Sequence, residues 1–142
     1  MSKSNLFVIL GNQLYNPKLF LKEFEDCDFF MSEDYSLCTN YNHHKFKILH
    51  ALSSMRSYRD ELVDCGKEVH YLKIEDPEFK KHYATKLLEC FKKYKYKKLF
   101  FFEIEDKNFE KEITNLDADI NIVPINSLSF LTSRNTFQNF IN

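Results

Sequence analysis

A chain of 142 residues with 44% hydrophobic side chains is long enough to enclose one substantial core and too short for two. Two glycines and three prolines leave little material for a flexible linker, no segment has the low hydrophobicity of a disordered tail, and a single domain over residues 1–142 is expected. A formal net charge of −1 argues against a strongly basic nucleic-acid-binding domain.

The first apolar run, Leu6–Leu10, has the length and composition of a buried strand closed by Gly11, and is far short of a membrane span or a signal-peptide core. Asn16 and Pro17 then supply an N-cap and a first helical position for a helix to about Glu25. Asp28–Ser32 reads as a second strand. The longest helix is expected from His43 to Cys65, where Phe46, Leu49, Leu52, Met55, Tyr58 and Leu62 recur at three- and four-residue steps and Gly66 stands just past the end. Glu68–Ile74 makes a third strand, and Asp76-Pro77 opens a helix to about Tyr94. Lys98–Ile104 is the fourth strand, Asn108–Asn115 a short helix, Ile120–Ile125 a fifth strand with Pro124 at its end, and Ser133–Ile141 a last helix.

Strands alternating with helices predict an α/β fold, a Rossmann-like doubly wound five-stranded parallel sheet with helices on both faces. In such sheets ligands bind outside the carboxyl ends of the strands, where the strand order reverses. The loops after Leu10, Ser32, Ile74 and Ile104 are therefore expected to meet at one crevice, with Gly11–Leu14, Glu33–Tyr35 and the start of the long helix facing it.

Residues 41–47, YNHHKFK, put two histidines and two lysines at that crevice. Adjacent helical residues point about 100° apart, so His43 and His44 do not readily share a metal ion, and no H-E-x-x-H is present. A helix start with added His and Lys suits an anion or a polyhydroxylated chain. The plain alternative is a helix that begins at two histidines with solvated Lys45 and Lys47. No nucleophile elbow surrounds Ser53, Ser54 or Cys38, and two glycines are too few for a dinucleotide or Walker loop. The run Lys92–Lys98, KKYKYKK, interleaves lysine with Tyr94 and Tyr96 as a nucleic-acid patch can, but a solvated helix end entering a strand is the preferred reading. Cys27, Cys38, Cys65 and Cys90 form no C-x-x-C pair, so reduced, mostly buried thiols and a cytoplasmic location are expected.

Taken in order, ILGNQL (Ile9–Leu14), SED (Ser32–Asp34), HHKFKI (His43–Ile48) and SSMRSY (Ser53–Tyr58) resemble the start of the deoxyribodipyrimidine photolyase-related proteins, the iron–sulfur branch of bacterial cryptochromes and photolyases. GKEVHYLKIEDP (Gly66–Pro77) and LSFLTSRNTFQNFI (Leu128–Ile141) resemble the same family's third strand and the exit from its N-terminal domain. The resemblance implies the N-terminal antenna-chromophore domain of a light-dependent flavoprotein that serves DNA repair or light sensing. It implies 6,7-dimethyl-8-ribityllumazine as the chromophore of this domain, with FAD and a 4Fe-4S cluster confined to a helical C-terminal domain absent from the sequence. That helical domain, in cis or as a separate chain, is the implied partner, DNA is contacted only through it, and no membrane is involved. Full-length relatives are DNA photolyases, which are carbon–carbon lyases; this domain is not expected to be catalytic alone.

By position, Gly11, Asn12, Gln13 and Leu14 correspond to the loop that approaches the antenna ring. Glu33, His43, His44 and Lys45 match the second part of the pocket, with Ile48 on the helix behind it. Asn12 stands where an aspartate is usual in the family, and Leu37 and Cys38 occupy a stretch where relatives can place an acidic contact. Two other function classes are compatible with the same residues: a non-catalytic interaction module with a vestigial pocket, and a small α/β enzyme acting on a nucleotide-like substrate.

Overall fold

The computed structural model describes residues 3–142. Strands β1 (Asn5–Val8), β2 (Cys27–Ser32), β3 (Val69–Leu72), β4 (Lys98–Phe102) and β5 (Asn121–Ile125) form one sheet in the order β3-β2-β1-β4-β5. All four pairings are parallel. Every residue of β1 and β2 is buried, as expected for inner strands covered on both faces. The edge strands β3 and β5 are half-covered, and Pro124 sits one residue from the end of β5, where its missing N–H costs no central ladder bond.

Side chains alternate between two cores because successive strand residues face opposite ways. Leu6 and Val8 of β1 join Phe30, Leu99 and Phe101 beneath helices α3 (Tyr83–Tyr94) and α4 (Lys107–Thr114). Phe7 and Ile9 face the other way, with Phe29, Met31 and Phe102, beneath helix α2 (Lys45–Asp64). The connections after β1 and β2 thus cover one face and those after β3 and β4 the other: the chain is an α/β, Rossmann-like, doubly wound sheet.

The helices depart from the periodicity in instructive places. Pro17 starts only a 3-10 turn, Pro17–Leu19, although Asn16 does cap it, accepting from the Lys18 N–H at 3.0 Å. Irregular turns follow because they seat both Phe20 and Phe24 on Phe7, the latter edge-on with ring centroids 4.7 Å apart. Aromatic burial outweighs weak helix propensity over so short a connection. The helix expected from Pro77 to Tyr94 divides into a 3-10 turn, Pro77–Lys80, and α3, separated by extended backbone at Lys81. Asp76 does not cap forward; its carboxylate accepts from the Lys73 N–H at 2.7 Å.

Helix α1 (Tyr35–Thr39) was not expected, being too short to show a period; Asp34 caps it by accepting from the Leu37 N–H at 3.1 Å. Helix α2 begins at Lys45, and His44 is its N-cap. Its end is as expected: Gly66 has φ of 76°, and the N–H of Lys67 reaches the Leu62 carbonyl at 3.1 Å in a Schellman closure. Helix α5 (Arg134–Ile141) lies on the surface, anchored at its first residue by Arg134, which donates to Glu110 and to the Ile104 carbonyl at 2.7 Å each. Among the described residues no helix is long and apolar enough to cross a membrane.

Candidate functional site

The direction of winding reverses between β1 and β4, so the chains leaving their carboxyl ends diverge and leave a crevice. A cavity of about 440 Å³ occupies it. Leu10, Gly11 and Asn12 form one wall after β1, and Ile104, Asp106 and Phe109 form the opposite wall after β4. Helix α2 contributes Ala51, Leu52 and Met55, and Tyr83 enters from the first turn of α3. Ser32, Asp34, Leu37 and Cys38 close the β2 side, while Tyr41 and His43 of the α1–α2 connection form the rim.

Gly11 is placed by contact, not by a special φ. A Cβ there would lie 2.8 Å from Met55 Sδ, so glycine leaves room for the Met55 thioether to lie against the β1 loop. Asn12 is exposed at the mouth. Gln13 turns away from the cavity; it is 3% exposed, and its Nε2 donates to the carbonyls of Glu103 at 3.0 Å and Phe102 at 3.4 Å. It therefore ties the β1 loop to the end of β4. Leu14 packs into the α2-side core.

Glu33 is fully buried and lies outside the cavity lining. Its carboxylate accepts from Arg56 Nε at 2.6 Å and Arg56 Nη2 at 2.9 Å, from the Tyr71 hydroxyl at 2.8 Å and from the Ile74 N–H at 2.7 Å. Four donors occupy its lone pairs. Burial alone would raise the Glu33 pKa, but these donors together hold it below its ordinary value. Glu33 clasps α2 to the ends of β2 and β3, with nothing left over for a ligand.

The neighbouring carboxylate, Asp34, is the one that reaches the cavity wall. It is paired with Lys86, and both side chains are essentially inaccessible. Ser36 Oγ and the Leu37 N–H donate to its other oxygen. Burial pushes Asp34 up, and Lys86, Ser36 and Leu37 outweigh that and hold it ionised below the usual range. Lys86 Nζ also donates to the Glu33 carbonyl at 3.3 Å, so the pair is a structural post beside the pocket.

Of the histidine cluster only His43 lines the cavity, half-buried, with its ring centroid 5.9 Å from that of Tyr41. His44 is exposed and spends Nδ1 as the α2 cap, accepting from the Phe46 N–H at 3.3 Å. Lys45 is exposed, with Nζ 5.4 Å from the Phe46 ring centroid, and Ile48 lies half-buried outside the lining. Among the described residues no three metal-ligating side chains cluster.

The structure thus brings Gly11, Asn12 and His43 together and sets Gln13, Leu14, Glu33, His44, Lys45 and Ile48 around them as scaffold or surface. Asp34 falls within the Glu33–Tyr35 stretch expected at the crevice, although it was not singled out there, whereas Tyr83, Asp106 and Phe109 were assigned no site role. Asp34 was findable, since an acidic residue directly after a strand and before a helix is an N-cap at the carboxyl edge. Tyr83 gave no signal, because a continuous helix through Lys81 would have turned it elsewhere.

A family model described as deoxyribodipyrimidine photo-lyase-related protein matches residues 7–142. No curated protein matches the chain at a significant level. The match begins inside β1 and runs through α5, so it includes every wall of the switch-point cavity. With nearly its whole length matched, the chain belongs to the family of deoxyribodipyrimidine photo-lyase-related proteins.

Proposed function

We propose that this chain is a chromophore-binding domain of a photolyase-like protein, and that its ligand is a flat heteroaromatic ring with a hydroxylated tail, of which 6,7-dimethyl-8-ribityllumazine is the candidate. The observation that carries the reading is the composition of the switch-point cavity. Leu10, Leu52, Met55, Ile104 and Phe109 offer apolar contact for ring faces, whereas Asn12 and His43 stand at the more open end for a ribityl tail. A volume of about 440 Å³ lies within the range of small-ligand pockets. Such a chromophore would absorb light and pass excitation to a flavin. In this reading FAD, a 4Fe-4S cluster and DNA contact belong to a helical domain docked on this one.

The enzyme alternative gains little from the same wall. Cys38 is the cavity's thiol, and burial followed by the charges of Asp34 and Glu33 pushes its pKa up, away from the reactive thiolate. Asp34 is already committed to Lys86 and to the α1 cap.

Fluorescence titration of the purified domain with the ribityllumazine, alongside flavin mononucleotide, tests the proposal. Saturable micromolar binding is expected, and Ala51→Trp, which fills the mouth from an exposed position of α2, should abolish it without altering the fold. Failure of the wild-type domain to bind either compound would overturn the reading.

A further inference from the structure

Tyr83 lines the cavity and is 1% exposed, yet its hydroxyl has no hydrogen-bond partner in the protein. The charged groups beside it are already engaged with each other: Asp34 with Lys86, and with Ser36 and Leu37 besides. A buried hydroxyl left without a partner costs free energy that a phenylalanine at the same place would not incur. The ring is also firmly held. It meets Phe109 with centroids 5.2 Å apart at 76° and Phe30 at 5.9 Å and 88°, and Lys86 Nζ lies 5.8 Å from its centroid.

The lining has a burial gradient: Tyr83 is closed off from solvent, whereas Asn12 is exposed and Tyr41 at the rim is 72% exposed. Resting on the chromophore-binding reading of this cavity, we propose that the Tyr83 hydroxyl is the group that reads the ligand. It donates a hydrogen bond to an acceptor, a ring nitrogen or ring carbonyl, on the buried edge of a planar heterocycle. The ligand enters ring first and leaves its hydroxylated tail at the mouth beside Asn12 and His43. Burial, reinforced by the negative charge of Asp34, drives the phenol pKa well up, so Tyr83 keeps its proton and remains a donor throughout the neutral range.

Tyr83→Phe removes only the oxygen, which separates recognition from folding. Titration of wild type and variant with the ribityllumazine should show binding about tenfold weaker in the variant, together with an altered absorption maximum of the bound ring. Thermal melting without ligand should show a Tm unchanged or raised. Equal affinity in the two proteins would overturn the inference while leaving the chromophore reading intact. Unchanged affinity with a lowered Tm would overturn it too, by showing that the hydroxyl serves the fold alone. Absence of binding in the wild type would overturn both.

Discussion

At the scale of single residues, the site is shaped by contacts between distant positions. Gly11 admits Met55, and the two should behave as a coupled pair. Gly11→Ala is expected to cost no more than about 1 kcal/mol, because the flexible Met55 thioether can turn from the new methyl, and Met55→Ala about 2–5 kcal/mol through the cavity it leaves. The double variant should cost less than the sum, since alanine at 55 makes room for the new methyl; chemical denaturation of the four proteins measures the coupling. Lys86→Met should cost about 3–5 kcal/mol, because it leaves the inaccessible Asp34 carboxylate without its cation. Gly11 was legible in the sequence, glycine being scarce and this one closing a strand. Glu33 was legible as a strand-end carboxylate but not as a clasp, for its partners Arg56 and Tyr71 lie 23 and 38 positions away. No local pattern encodes such a meeting.

At the scale of elements, α2 shows what a period can and cannot say. Its apolar positions share one stripe, yet Met55, Tyr58 and Leu62 are buried while Phe46 and Leu49 are 64% and 61% exposed. Geometry explains the split. A 20-residue helix is about 30 Å long, and the six residues of β2 extend only about 20 Å, so one end of α2 projects past the sheet. Periodicity finds the stripe on a helix but not where the supporting sheet stops. Accordingly Phe46→Glu and Leu49→Glu should each change stability by no more than about 0.5 kcal/mol, whereas Leu62→Ala should cost about 2–5 kcal/mol; denaturant midpoints of the three variants would check the contrast. The same projection explains why the histidines at the start of α2 have different surroundings: His43 borders the cavity, and His44 faces water as a cap.

At the scale of the whole molecule, alternation of strands and helices was enough to read the doubly wound sheet, because parallel strands need crossovers and the crossovers must cover both faces. The site followed only in outline: the rule for strand ends located the crevice, while its occupants depended on irregular backbone at Lys81 and on the short α1. The fold also carries a pH signature. Glu33 and Asp34 both titrate below their ordinary values in the native state, so their stabilisation is complete above the unfolded carboxylate range of about 4 and is lost as pH falls through the native values. His70 is pushed down, first by burial, so it disfavours the folded state increasingly as pH drops below about 6.5. Thermal melts should therefore show a shallow decline in Tm from about pH 6.5 and a steep one below about pH 4. In Glu33→Gln the steep limb should flatten, on a lower plateau. One small side chain reaches far along the chain. The Gln13 carboxamide stitches the two chain paths that part at the crevice, joining positions 89 and 90 residues apart. The floor between β1 and β4 is thus braced by a cross-tie between its two chain paths. Under the proposed ligand-binding role, spreading the floor to admit a thicker ring would break both bonds, whereas the rim of exposed Tyr41 and half-buried His43 lies outside this tie.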